Sequence, residues 1–227
     1  MIQIAARSPF ALADKPLALI DRKLHFNTSA IVHLVERAPA LCMALDAAYL
    51  AIPLLVFAAI LVPPFFGQRL ASCRYVAAVV VATVLTSVLF ALWPACGPWT
   101  TQSLQPTAEQ AAVSARLLEL KSSAPAVLDL QHTAIVSFPS FHVILAVLSA
   151  VALNGVPRVR RWAWALATLT SISTITTGWH YGVDVLGGLA VSLAASWIAR
   201  LAVVPEAAQD PDQLYEPLSE PADSLAA

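Results

Sequence analysis

The stretch Phe138-Pro139-Ser140-Phe141-His142-Val143-Ile144-Leu145-Ala146-Val147-Leu148-Ser149-Ala150-Val151-Ala152 decides the reading of this chain. A proline and a serine precede an uncharged apolar run, so a helix opens here with free backbone N–H groups that favour an anion, and His142 stands in its first turn. Further on, His180-Tyr181-Gly182-Val183-Asp184 opens a second apolar run. Here the histidine and the aspartate are four apart. On a helix they share a face, and the carboxylate can hold and polarise the imidazole as an oriented nucleophile or base. Together the two motifs point to phosphoryl transfer.

Composition sets the class. Of 227 residues, 59% are apolar and 12% charged, and the charges avoid several long stretches that hydropathy reads as membrane spans. The chain reads as an integral membrane protein. A net charge of -1 offers no clustered basic face, which excludes nucleic acid as a partner. Cys42, Cys73 and Cys96 are far apart, odd in number and without metal-ligand spacing, so they read as packing residues. Ile2 to Pro16 lacks the basic region and clean apolar core of a cleavable signal, which leaves insertion to the first span.

The pattern divides the chain into three parts. Residues 1–40 mix Arg7, Lys15, Arg22, Lys23 and Arg37 with short apolar runs, as suits an amphipathic segment on the membrane surface. Residues 41–204 form the transmembrane domain. Its spans are expected at Ala44–Phe66, Tyr75–Trp93, Phe141–Val156, Trp162–Gly178 and Asp184–Val204. Between the second and third, Thr107 and Gln110 resemble a capping box, with Val113, Leu117 and Leu120 at helical spacing behind it, so a short amphipathic helix is expected there. Residues 205–227, with four prolines, six acids and no Lys or Arg, read as a disordered acidic tail. The expected fold is all-α, a polytopic transmembrane bundle of five or six helices.

Short loops rich in Lys and Arg stay cytoplasmic. Arg69 and Arg74 place one loop inside, Arg158, Arg160 and Arg161 place another there, and parity then puts His142 and His180 at the opposite, outer face. The same parity puts the cationic N-terminal segment outside. It is then either a surface-bound helix or the sign of a missed span. High alanine content and compact size favour a bacterial plasma (inner) membrane.

Phe-Pro-Ser-x-His at one span entrance and His-Tyr-x-x-Asp-x-x-x-Gly at another resemble the type 2 phosphatidic acid phosphatase superfamily. Within it the chain looks like the inositolphosphotransferase-like branch, related to inositol phosphorylceramide synthases. Phe141 stands where ordinary lipid phosphatases have glycine, and Thr174 where they have an arginine six residues before the histidine. Asp46-Ala47-Ala48-Tyr49 and Trp93-Pro94-Ala95-Cys96-Gly97-Pro98 resemble that branch as well. The resemblance covers roughly residues 40–200 and implies a phosphatidic acid phosphatase type 2 / haloperoxidase-like core.

The resemblance also implies roles. His180 would attack the substrate phosphorus, Asp184 would hold the resulting phosphohistidine, and His142 would protonate the departing alkoxide, with no metal and no cofactor. The substrate would be a phospholipid or lipid phosphate, and the acceptor water, a lipid or a polyol. Two histidines and one carboxylate make an incomplete metal shell. The superfamily's lysine-and-arginine motif is absent, and this transfer depends on neutralising the phosphoryl oxygens. Arg116, Lys121 and the N–H groups around Ser140 and Phe141 are the candidates. Ser140 either bonds a phosphate oxygen or caps the third span. Asp46 either meets a sugar hydroxyl or is an interfacial helix-end charge. Trp179 reads as an interfacial anchor, and Gly187 and Gly188 as sites of close helix packing. The missing basic clamp sustains one alternative, a catalytically silent membrane protein of the same fold that binds a lipid or partner.

Overall fold

The computed structural model describes residues 2–122 and 137–205. The described chain is all-α and contains no strand. Its helices are α1 (Ile2–Ala6), α2 (Asp14–Lys23), α3 (Thr28–Glu36), α4 (Pro39–Leu50), α5 (Ile52–Phe65), α6 (Arg69–Leu92), α7 (Ala108–Lys121), α8 (Phe141–Leu153), α9 (Pro157–Thr176) and α10 (Gly182–Ala202), with one 3-10 turn at Pro98–Thr100. From Glu206 onward the expected acidic tail lies outside the described residues.

There are more helices than the expected five or six because the apolar pattern hides breaks. The expected first span is two helices, α4 and α5, parted at Ala51. Pro53 explains the break, since it has no N–H to give the carbonyl of Tyr49 and the α4 ladder ends there. Residues 2–36 add α1, α2 and α3. The other ends follow local chemistry. α6 stops at Leu92, two residues before Pro94, and α7 carries the expected capping box, with Thr107 and Gln110 bonding each other's backbone N–H.

Two described helices, α6 and α10, are long and apolar enough to cross a bilayer. At 24 and 21 residues they reach about 36 and 32 Å, against a hydrocarbon core of about 30 Å. α3 and α4 pass the same test as a pair, bent by 118° at the break between them, while α5 and α8 are apolar but shorter. Outward faces are apolar too, with Val76, Val80, Val84 and Val88 exposed along α6 and Leu186, Leu189, Leu193 and Trp197 along α10.

α8 is the hub. One stripe, Ile144, Leu148 and Ala152, packs with Ala78 and Ala82 of α6 and Val191, Ala195 and Ala199 of α10. A second stripe, Ala146, Ala150 and Leu153, packs with Ile52 and Leu55 of α5 and Ala163 and Ala167 of α9. Both stripes repeat at helical spacing. The many alanines let the helix backbones approach closely, which is how apolar helices gain contact where lipid removes the hydrophobic drive.

The bundle has two chemically distinct ends. At one, Gln68 Nε2 donates to the carbonyl of Gly155 (2.6 Å) and Arg74 Nε to that of Val203 (3.0 Å), gathering both arginine-rich loops with the end of α10. At the other end lie both histidine motifs and α2.

Candidate active site

Three close approaches bring the motifs together. At Gly188 an added β-carbon would stand 2.8 Å from the carbonyl oxygen of Ser140, and at Gly187 one would stand 2.9 Å from the Phe138 ring. Only glycine lets the start of α8 lie this close to α10. The backbone N–H of Ser140 then donates to the carbonyl of Asp184 at 3.1 Å. The α9–α10 turn adds a separate constraint, where Gly178 adopts a φ of +74° and the N–H of His180 returns to the carbonyl of Thr174.

His180 is buried, and its Nδ1 lies 2.9 Å from the Ser137 carbonyl and 3.3 Å from Asp184 Oδ2. Both neighbours are acceptors, so Nδ1 carries the proton and donates. The lone pair of the neutral ring is thereby left on Nε2. Asp184 Oδ2 also accepts from Ser137 Oγ (3.1 Å) and from the N–H of Tyr181 (2.9 Å), which fixes the carboxylate at the first turn of α10. The His142 ring sits 6.4 Å from that of His180, centroid to centroid. Tyr49 stacks on His142 with centroids 4.2 Å apart and its hydroxyl 3.4 Å from Nδ1. One imidazole is held through Nδ1 with its lone pair on Nε2, and a second stands beside it.

The remaining expected residues fall in different places. Ser140 is fully buried at the N-terminus of α8 but does not cap it, and its Oγ has no partner among the described residues. Phe141 is half-buried against α6 and α10. Asp46 is exposed on α4 and accepts from Cys42 Sγ, while Tyr49, one turn on, is the α4 side chain that meets His142. Arg116 pairs with Glu119 (2.6 Å), and Lys121 donates to the Ser8 carbonyl (2.9 Å). These bonds engage both cations within the chain, in the C-terminal half of α7, where Leu117 and Leu120 cluster with Ala6 of α1. Burial also lowers the Lys121 ammonium from its ordinary value. Trp179 packs edge-on against Trp99, 5.6 Å between centroids.

Two buried acids escaped the sequence reading. Asp21 of α2 accepts from the N–H groups of Gly182 and Val183, each at 2.8 Å, and so caps the N-terminus of α10. Asp14 accepts from the N–H groups of Cys96 and Gly97 and meets the Tyr181 hydroxyl at 3.2 Å. Burial raises the Tyr181 hydroxyl well above its ordinary value, so it remains a neutral phenol. Helix α2 thus grips Tyr181-Gly182-Val183, the peptide between His180 and Asp184. Among the described residues no cluster of three or more His, Cys, Asp or Glu is arranged to hold a metal ion.

No curated protein and no solved structure matches the chain. A family model described as the PAP2 superfamily, whose members are generally phosphatases and phosphotransferases, matches residues 15–198. That span takes in nearly all of α2 through most of α10, with both histidine motifs and the buried Asp21, and the chain belongs to the PAP2 superfamily.

Proposed function

We propose that this protein is a multi-pass membrane enzyme that transfers or hydrolyses lipid-linked phosphoryl groups through a phosphohistidine, without a metal. The observation that carries this reading is the double anchoring of His180 Nδ1 by Ser137 and Asp184, with the His142 ring beside it. His180 Nε2 attacks phosphorus, and the bond to the leaving alkoxide breaks as His142 gives that oxygen its proton. His142, now neutral, takes a proton from the incoming acceptor. The acceptor oxygen displaces His180 from phosphorus and completes the cycle.

In this reading the phosphoryl oxygens meet the free N–H groups at the start of α8 and the buried Ser140 hydroxyl. Phe141 and Thr174 stand as in the inositolphosphotransferase-like branch, which makes a polyol or lipid alcohol an acceptor to compare with water. We place the site at the outer face of a bacterial plasma membrane, opposite the arginine-rich loops. A second reading keeps the fold but not turnover. It is favoured by Thr174 in place of an arginine and by the engagement of Arg116 and Lys121 elsewhere.

The test is to incubate purified protein with a phospholipid panel labelled at phosphorus, with and without polyol and ceramide acceptors. Expected is an acid-labile, base-stable labelled protein that is lost in His180→Ala, with turnover reduced by orders of magnitude in Asp184→Asn. Turnover that survives His180→Ala ends this mechanism, and no turnover on any substrate favours the silent reading.

A further inference from the structure

Far from the histidines, a cavity of about 320 Å³ opens between α6, α8 and α10 at the arginine-rich end of the bundle. Arg74 and Arg200 line it with Gln68 and Ser196, over apolar wall residues that include Leu148 and Val151. Among the described residues none of the lining side chains is acidic. The Nε of Arg74 is tied to the Val203 carbonyl at 3.0 Å, which holds its guanidinium at the end of α10, where Arg200 also stands. Two cations are thus directed to one cavity with no carboxylate to answer them. Either arginine alone is an ordinary interfacial cation, Arg200 favoured by the C-terminus of its helix. Their convergence on a shared apolar cavity calls for an anion.

We propose that this cavity binds one anionic phospholipid, its phosphate between Arg74 and Arg200 and its glycerol and first chain carbons along the apolar wall. The inference rests on the membrane placement proposed above but not on the chemistry proposed for the histidines. A free phosphate would use the arginines and leave the wall in contact with water. A lipid uses both, and its chains continue onto the exposed apolar faces of α6 and α10, where Val76 and Trp197 lie. A volume of this size fits a headgroup region, not a whole lipid.

The test uses full-length protein in nonionic detergent, with phosphatidylglycerol, phosphatidylcholine or inorganic phosphate added separately, read by native mass spectrometry and by thermal midpoint. Phosphatidylglycerol should bind as one retained molecule and raise the midpoint, whereas phosphatidylcholine and phosphate should not. Arg200→Ala should weaken retention about fivefold, and Arg74→Ala with Arg200→Ala about 25-fold. Because Arg74 also bonds the backbone, the single Arg200→Ala variant, at an exposed residue, decides the matter if the double variant misfolds. Equal retention of the two lipids, stabilisation by phosphate alone, or undiminished retention in Arg200→Ala overturns the proposal. Labelling of His180 is scored separately, so failure here and failure of the catalytic reading remain distinct.

Discussion

The carboxylate of Asp21 accepts both N–H groups that open α10, from Gly182 and from Val183, across 161 residues of sequence. Burial raises its carboxyl above the ordinary value even with these donors in place. A neutral acceptor should therefore be tolerated better than none. Asp21→Ala is expected to cost about 1–2 kcal/mol of stability and to lower kcat more than KM, since it releases the peptide beside His180 without touching substrate. Asp21→Asn should retain most of both. Thermal midpoints and steady-state kinetics of the two variants check this, and equal losses would mean that the charge itself is needed.

Gly188 faces the Ser140 carbonyl where a β-carbon would come within 2.8 Å. Gly188→Ala should force α8 and α10 apart, lowering stability by about 1–3 kcal/mol and turnover with it. Leu193→Ala, on the exposed face of the same helix, should do neither. The comparison needs only midpoint and turnover in parallel, and an innocuous Gly188→Ala would show that the motifs do not depend on this approach.

His142 is assigned the leaving group's proton. An acidic leaving group needs little help, so His142→Ala should reduce turnover of a natural lipid by about 10²–10⁴ and of an activated aryl phosphate diester by less than about tenfold. His180→Ala should be equally damaging on both. Equal losses for His142→Ala on the two substrates would make it a binding or structural residue.

Sidedness has its own check. With Cys42, Cys73 and Cys96 removed, a cysteine at exposed Ser122 should react with an impermeant thiol reagent in intact cells, and one at exposed Pro157 should not. The reverse pattern would invert the topology.

Much of this was legible in the residues themselves. Helical spacing, the stop before Pro94 and the Thr107–Gln110 box are local signals, and the structure places helices where they point. The spacing of His180 and Asp184 is local too, and they lie 3.3 Å apart. What stayed hidden is long-range. Asp14 and Asp21 carry no local signal because their partners lie in other parts of the chain, and no spacing rule spans such a gap. Asp46 drew notice as the charged member of its motif, yet it is the aromatic Tyr49 that stacks on His142. Arg116 and Lys121 were reached through sidedness, which says which end a residue occupies but not what it touches.

The grip of α2 on the start of α10 also sets the order in which this protein is finished. Asp21 emerges from the ribosome long before Gly182, and the 161 residues between them take roughly 8 to 32 seconds to make. Until then the His180 turn does not exist, and Asp21 lacks the two N–H groups that it caps, although Asp14 can already meet Cys96 and Gly97. The fastening of α2 is completed only at the end, so a nascent or truncated product that lacks its final helix has neither His180 nor Asp184 held in place beside His142.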